Sequence, residues 1–181
     1  MRIFTSIITG LVLSVSATAG DVYAGLRFGD TEKEVIAKLE LSKLTHSDVP
    51  KTLFARVGLN GSFKVVPKLK NLSFALYFDW AKGAEKKLTS IILRSNKLPA
   101  SDYDTKLKNA YDYTVNLLSS TYGRPSNSGS FPTKEKVGGD EQVHFSHEWK
   151  TDEGFVYLGV GQQAGEFVLT INFTKDSLIS R

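Results

Sequence analysis

Two segments in which apolar and polar side chains alternate constrain the fold of this chain more than any other sequence feature. Every second residue of segments 71–80 and 166–174 is apolar. The apolar members are Leu72, Phe74, Leu76, Phe78, Trp80, Phe167, Leu169, Ile171 and Phe173. Successive side chains of a β-strand point to opposite faces of a sheet, so this period of two predicts strands with one buried face.

Four further segments have strand or hairpin character. Leu88–Arg94 has an apolar centre, and Gln142–Trp149 and Phe155–Val160 flank a turn that contains Gly154. The segment Lys51–Val66 predicts a hairpin, because it carries Asn-Gly between two partly apolar runs and Asn-Gly tolerates the positive φ angles of a type I′ turn.

Two helices are predicted among these strands. The first begins at Thr31, where Thr31 and Glu34 have the spacing of a capping box, and it ends near residues 40–43. The second is longer and runs from Ser101 to Gly123, since apolar residues recur there at helical spacing and glycine suits the position after a helix.

The order helix, strands, helix, strands predicts an α+β fold: an antiparallel sheet of about six to seven strands with two helices packed on one face. The halves 25–98 and 99–175 also resemble each other. Phe78-Asp79-Trp80 and His147-Glu148-Trp149 each precede a glycine-containing turn and a strand. This suggests a degenerate tandem helix-plus-hairpin repeat, although two hairpins of one sheet would look alike for physical reasons alone.

Residues 1–19 predict a signal peptide. Arg2 precedes an apolar run from Ile3 to Val15, and small residues follow up to Ala19, after which cleavage is expected. The alternative is a retained anchor, but the apolar run is shorter than the ~20 residues of a spanning helix. The mature chain is therefore expected to be a single soluble domain, residues 20–181, in the periplasm of a diderm bacterium or secreted by another organism.

The composition excludes several classes of site. The chain has no cysteine, which removes disulfides, thiol nucleophiles, cysteine-based zinc sites and a lipidated N-terminal cysteine. The net charge of +4 is spread along the chain, whereas nucleic-acid binding needs a dense basic patch. No nucleic-acid partner is expected.

No pattern predicts catalytic residues, a cofactor or a metal site. His144 and His147 are three residues apart on a predicted strand, so their side chains are expected on opposite faces. Gly159 and Gly161 lie within a strand, where glycine marks a bulge or a close backbone approach more often than a phosphate loop. Whether the chain is an enzyme stays open, with a non-enzymatic role favoured.

Two groups of residues are candidates for binding. Aromatic side chains of the sheet, namely Tyr77, Trp80, Trp149 and Tyr157, would suit a protein interface or sugar stacking, and core packing is the alternative. The segment Ser126–Gly139 predicts a long loop. In and beside this loop, positive charge comes from Arg124, Lys134 and Lys136, and Phe131 offers an apolar anchor for a partner. The alternative is that the loop is simply disordered.

Two motifs carry a resemblance to known families. Gly25-Leu26-Arg27-Phe28-Gly29-Asp30-Thr31, followed by Glu34-Val35, is similar to the "G-x-x-G-x-[ST]" entry of many small envelope proteins. The segment 117–125 and the strand that ends at Trp149 are similar to their continuation of helix, Gly-x-Pro and aromatic strand. The chain thus resembles outer-membrane assembly lipoproteins of the SmpA/OmlA (BamE-like) type and secreted β-lactamase inhibitor proteins.

The resemblance implies a binding scaffold without catalysis. Membrane anchoring does not carry over, because those lipoproteins are anchored through a cysteine that this chain lacks. We therefore expect an exported soluble protein that binds another envelope protein, as an assembly factor, an inhibitor or an immunity protein. A carrier of small ligands or cell-wall fragments and, with less support, a cell-wall hydrolase are the alternatives.

Overall fold

A computed structural model describes residues 20–178 of the chain. The predicted signal peptide, residues 1–19, lies outside the described residues. The described part is an α+β structure with an eight-stranded antiparallel sheet and three α-helices. Within residues 20–178, every helix is too short or too polar to cross a lipid bilayer.

Helices and strands make up about half of the described chain. The helices are α1 (Glu32–Leu41), α2 (Phe54–Val57) and α3 (Lys108–Tyr122). The strands are β1 (Thr45–Ser47), β2 (Phe63–Val65), β3 (Phe74–Trp80), β4 (Leu88–Ser95), β5 (Asn127–Ser128), β6 (Val143–Lys150), β7 (Phe155–Gln163) and β8 (Glu166–Thr174).

The strands lie in the order β1-β2-β3-β4-β8-β7-β6-β5. Each half of the chain thus contributes four successive strands, and the halves meet where β4 pairs with β8 in the middle of the sheet. A helix precedes the first strand of each half. Duplication of one helix-plus-four-strand unit would produce this order, and the tandem repeat stays a prediction.

One face of the sheet carries the hydrophobic core. Val35 of α1 and Leu118 of α3 belong to the same buried cluster as alternate residues of the long strands. The opposite face, here called the second face, carries the intervening residues, among them Tyr77, Arg94 and Thr170. Its central part is also buried, since Thr170 and Tyr157 are almost completely inaccessible to solvent. The predicted fold class is confirmed, with one or two strands and one short helix more than the sequence indicated.

The predicted hairpin over Lys51–Val66 is wrong in its first half. Lys51–Leu53 forms a 3-10 turn that continues into α2, and β2 pairs instead with β1. Phe54 alone is buried in that helical stretch, while Leu53 and Val57 are exposed, so the apolar residues do not share a strand face. A turn does form at Asn60-Gly61, with Gly61 at φ +76° and the Ser62 N–H bonded to the carbonyl of Leu59. It is not the predicted type I′ hairpin turn, because Asn60 lacks a positive φ and a helix, not a strand, precedes it.

The second helix begins later than predicted. Ala100–Asp102 is a 3-10 turn and Tyr103–Leu107 a π-helical turn, and regular α3 follows at Lys108. The helix ends at the predicted position. Gly123 follows α3 with φ +81°, and its N–H donates to the carbonyl of Ser119. Only a residue without Cβ adopts this left-handed conformation at little cost.

The predicted capping box of α1 is present. The Thr31 hydroxyl accepts from the Glu34 N–H at 3.3 Å, and the Glu34 carboxylate accepts from the Thr31 N–H at 2.8 Å. The hydrogen bond from the Thr31 backbone holds the pKa of Glu34 below its usual range. These reciprocal bonds satisfy two N–H groups that the helix leaves unpaired.

Thr31→Ala is expected to lower the free energy of unfolding by about 1 kcal/mol, because the side-chain cap is lost. The Glu34 pKa should rise towards its ordinary value, since the Thr31 hydroxyl also donates to that carboxylate. Urea unfolding and an NMR titration of Glu34 measure the two effects. Thr121→Ala, at an exposed position in the last turn of α3, is the control. An equal loss in both variants would contradict the role of the cap.

Candidate functional site

A groove of about 780 Å³ lies between α3 and the segment 129–135. One wall is the α3 face that carries Lys108, Asp112 and Asn116, which are four residues apart and therefore aligned along the helix. Tyr111, Phe131 and His147 also line the groove. Its volume is within the range of ~300–1,000 Å³ that is typical of ligand sites.

Aromatic packing holds the loop wall of the groove in place. The ring of Phe131 lies 4.9 Å from that of Tyr103 and 5.1 Å from that of Tyr111, measured between centroids. The Tyr103 hydroxyl donates to the carbonyl of Pro132 at 2.9 Å. Burial raises the Tyr103 pKa to about 12, so this hydroxyl keeps its proton at neutral pH. The segment Ser126–Gly139 is therefore an anchored loop, with β5 at its start paired to β6.

A buried polar cluster lies beneath the groove. The Tyr111 hydroxyl is 2.7 Å from Ser146 Oγ and 3.0 Å from His147 Nδ1, and the last two atoms are 3.2 Å apart. Ser146 Oγ also donates to the carbonyl of Leu158 at 3.3 Å. The three side chains are satisfied mainly by one another, as buried polar groups require.

A β-bulge creates this cluster and corrects the prediction for the two histidines. Phe145 pairs with Gly159 and His147 with Leu158, so Ser146 is an extra residue in β6. The inserted residue reverses the alternation. His144, paired with Val160, and His147 therefore lie on the same face of the sheet, the face of the core, instead of on opposite faces.

His147 is a neutral side chain at neutral pH. It is 7% exposed, and its ring stacks on Trp149 at 5.5 Å and 18°. Burial lowers its pKa, because the charged imidazolium would lose its hydration. The charged groups that line the groove above it are Asp104, Lys108, Asp112, Lys134 and Glu135.

The buried His147 predicts a loss of stability in mild acid. Below its ordinary pKa of about 6.5 the unfolded chain binds a proton that the folded protein does not take up. The free energy of unfolding should therefore be constant above pH ~7 and fall as the pH drops through ~6.5 towards the lowered folded-state pKa. Urea unfolding of the wild type and of His147→Gln is measured at about pH 7.5, 6.5 and 5.5, which span the range in which histidine titrates. The free energies of unfolding of the two proteins are then compared at each pH.

His147→Gln should lower stability at pH ~7.5 and flatten the pH dependence. His46→Gln is the matched control, because the His46 side chain is 50% exposed on the edge strand β1. It should change the slope less than His147→Gln does, because the ion pair of His46 with Asp48 is exposed and exposed ion pairs contribute little to stability. The same slope in His147→Gln and in the wild type would show that other groups cause the acid sensitivity.

The rim of the groove carries paired charges. Lys108 Nζ lies 2.6 Å from Asp112 Oδ2, and Lys134 Nζ lies 3.4 Å from Asp104 Oδ2. Glu135 adds a further carboxylate to the lining. Apolar rings inside and hydrogen-bonding charges outside are the usual anatomy of a binding surface.

The structure places four predicted binding residues in or near this loop. Phe131 and Lys134 line the groove, whereas Lys136 lines a smaller cavity of about 300 Å³ on the other side of the same segment. His144 also lines that second cavity. Arg124 is exposed between α3 and β5.

The four predicted aromatic residues of the sheet do not form one surface. Trp149 is completely buried, and its indole N–H donates to the carbonyl of Gly123 at 3.1 Å. Trp80 packs against the core beside Phe78. Tyr77 and Tyr157 lie on the second face, where Tyr77 is half-buried. Tyr157 is completely buried, so its prediction as a binding residue is wrong, and its hydroxyl donates to Glu148 at 2.8 Å.

The side chains that a hydrolase would use are separated. Ser146 and His147 are together, but both are more than nine-tenths buried and they contact each other through Nδ1. Glu148 lies on the second face, and Asp79 is on β3, four strands away from β6 in the sheet. The groove therefore lies above a buried polar cluster whose side chains are hydrogen-bonded to one another.

Sequence reasoning missed Tyr111 and the polar face of α3. The spacing of Lys108, Asp112 and Asn116 identifies an exposed helix face, but only the tertiary structure shows that the loop lies opposite it.

Within residues 20–178, groups of three or more histidine, aspartate or glutamate side chains placed to hold a metal ion are absent. The sequence prediction of no metal site thus stays a prediction for the whole chain. Comparisons with protein-family models, with curated proteins and with solved structures find no match to this chain.

Proposed function

We propose that this chain is an exported binding protein of the cell envelope that receives a segment of another envelope protein in the groove between α3 and residues 129–135. The groove itself carries this proposal. It combines an aromatic floor at Tyr111 and Phe131 with a charged rim, and it is anchored by the packing of Phe131. A preformed site of this kind binds with little ordering cost.

Export is part of the proposal and rests on the sequence of residues 1–19. Its test is the intact mass of the protein purified from cells that express the full sequence. Export is supported if the protein in the envelope or the medium has the mass of a chain that begins at Gly20. A full-length chain in the cytoplasm would overturn it.

Asn116→Trp tests the groove directly. Asn116 is exposed and lines the groove, so the indole should fill the groove without disturbing the core. Thr121→Trp is the matched control, on the same helix and also exposed. Proteins retained from the envelope fraction by the wild type through high salt are purified and titrated against all three forms of the chain.

Stoichiometric binding to the wild type and to Thr121→Trp, with an affinity at least about tenfold lower for Asn116→Trp, is the expected result. If the partner binds both tryptophan variants with equal affinity, it binds to a surface other than the groove. High-salt washing is needed because the chain is basic and weak charge contacts are screened by salt.

A small ligand, such as a cell-wall fragment, is the second candidate for the same groove. It is favoured by the volume of about 780 Å³ and by aromatic rings close to hydrogen-bonding side chains. Thermal-shift measurements with muropeptides and with phospholipid vesicles test it. A shift with muropeptides that disappears in Asn116→Trp would favour this candidate over a protein segment.

A further inference from the structure

The smaller cavity of about 300 Å³, on the other side of the loop from the groove, differs from the groove in its charge. Among the described residues, its lining has one lysine, Lys136, and one histidine, His144, and no aspartate or glutamate. The groove, in contrast, is lined by two lysines and three carboxylates. Because the charged residues of the two sites are different, a ligand of this cavity does not depend on a partner in the groove.

Four polar side chains of the cavity wall have hydrogen-bonding groups available for a ligand. They come from four places in the fold, namely Asn127 on β5, Ser130 in the loop, Lys136 in a 3-10 turn and His144 on β6. None of the four side chains has a hydrogen bond or an ion pair within residues 20–178. Lys136 is exposed and His144 is half-buried, so a ligand reaches both from solvent.

Lys136 carries a positive charge that the folded chain does not use. Both lysines of the groove form ion pairs with aspartates, whereas Lys136 has no carboxylate partner in the described part of the chain. Glu135, its neighbour in sequence, lines the groove and is hydrogen-bonded to the Thr133 side chain. An anion that enters the cavity therefore meets a cation without having to displace a carboxylate.

The lining also indicates which anion suits the cavity. An ammonium group, an imidazole, an amide and a hydroxyl all donate hydrogen bonds, and bonds from charged donors to anions are the strong ones. Phosphate presents oxygens in more directions than a carboxylate does, so it can accept from donors that come from four places in the fold. The cavity is at the lower end of the ~300–1,000 Å³ range of ligand sites, which fits one compact group.

We propose that this cavity binds a phosphate group, carried by a small phosphorylated molecule or by a phospholipid headgroup. Lys136 supplies the positive charge, and the ring of His144 donates a hydrogen bond. The Ser130 hydroxyl and the Asn127 amide donate to the remaining oxygens. A protonated His144 adds a second positive charge, so binding strengthens as the pH falls through the range in which histidine titrates.

Inorganic phosphate is the first probe. It is titrated into the ¹⁵N-labelled protein at pH ~7.5, with the ionic strength held constant by sodium chloride. The backbone amides of Ser130 and Lys136 and the ring signals of His144 are followed by NMR. We expect saturable shifts at these residues and none at Asn116 in the groove. Shifts that do not saturate, or that sodium chloride alone reproduces, would overturn the proposal.

Lys136→Gln and Lys134→Gln form a matched pair of variants. Both lysines belong to the same 3-10 turn, but Lys134 lines the groove and is paired with Asp104. Lys136→Gln should weaken phosphate binding about tenfold or more, because a hydrogen bond between charged groups is lost. Lys134→Gln should weaken it less than about threefold, since salt screens the more distant charge. Equal weakening in both variants would show attraction to the loop as a whole and overturn the site.

Sulfate tests the part of His144, because the charge of sulfate is constant near neutral pH and that of a phosphate group is not. The wild type should bind sulfate several-fold more tightly at pH ~6 than at pH ~7.5, and His144→Gln should bind it equally at both. Lys136 is the other ionisable side chain of the described lining, and lysine does not titrate in this range. The same pH dependence in both proteins would contradict the assignment of His144 to the site.

Three further ligands distinguish the source of the phosphate group. Glycerol 3-phosphate bound at least as tightly as inorganic phosphate supports a small phosphorylated molecule. Tighter binding to phosphatidylglycerol vesicles, lost in Lys136→Gln but kept in Lys134→Gln, supports a lipid headgroup. Sodium acetate bound as tightly as phosphate would overturn phosphate as the ligand. Asn116→Trp should leave every titration unchanged, so a groove that binds no partner and a cavity that binds no phosphate are separate results.

Discussion

Trp149→Ala is expected to lower the free energy of unfolding by about 3–5 kcal/mol, in the range measured for large buried aromatic residues. Trp149 is the largest of the completely buried side chains in the described part of the chain. Its removal leaves a cavity between β6 and the C-terminal end of α3, because the indole N–H bonds to the carbonyl of Gly123. It also exposes one face of the His147 ring, which stacks on the indole.

Two further tryptophan variants separate the contributions. Trp149→Phe keeps the aromatic ring but loses the hydrogen bond, so a smaller loss of about 1–2 kcal/mol is expected. Trp80→Ala is the matched control, since Trp80 is only partly buried against the core. The chain has two tryptophans, so Trp80→Phe leaves Trp149 as the single indole reporter. Its emission should be blue-shifted in the folded state and move to the red in urea.

Comparable decreases in the free energy of unfolding for Trp149→Ala and Trp80→Ala would contradict the placement of Trp149 in the core. The same comparison tests the sequence interpretation, which treated both tryptophans as equal candidates for a binding surface. A core tryptophan changes stability when replaced, whereas a binding tryptophan changes affinity.

Gly159→Ala is expected to lower the free energy of unfolding by about 3 kcal/mol, the upper part of the usual range for overpacking. A Cβ atom at this position would lie 2.5 Å from the carbonyl oxygen of His144 and 2.9 Å from a ring carbon of Phe145. The oxygen belongs to the neighbouring strand beside the bulge, and it cannot move without shifting that strand. The clash, and not backbone strain, causes the loss.

Two other glycines provide a graded comparison by urea unfolding. Gly161→Ala should lower the free energy of unfolding less than Gly159→Ala does, because the atom nearest to its added Cβ is a carbonyl oxygen at 3.0 Å. Gly139→Ala should be neutral or stabilising by up to about 1 kcal/mol, since the nearest atom lies at 4.0 Å on a flexible side chain. Equal stability of Gly139→Ala and Gly159→Ala would contradict the close approach at the bulge.

Strict alternation made the long strands predictable from the sequence. Residues 74–80 and 166–174 form strands, because that backbone places every second residue, from Phe74 to Phe78 and from Phe167 to Phe173, on the face of the core. The first strand begins three residues later than predicted. The close approach predicted at Gly159 is also confirmed. The short strands β1 and β5 carry no such pattern, since two or three residues are too few for a period.

The candidate site was only partly predictable. Phe131 and Lys134 stand out in a polar loop, and both line the groove. Tyr111 is indistinguishable in sequence from other apolar positions of the long helix. Ser146 and His147 reach it only through the bulge in β6, which a period-two pattern does not reveal.

The sequence by itself determined the fold class, the long strands, the two main helices and the end of α3 at Gly123, because these depend on local periodicity and backbone preference. The tertiary structure alone decided the strand order, the bulge at Ser146 and the faces on which Trp149, His147 and Arg94 lie. Those features depend on which distant residues pair. A single inserted residue in β6 brings two histidines to one face and closes the polar cluster beneath the groove.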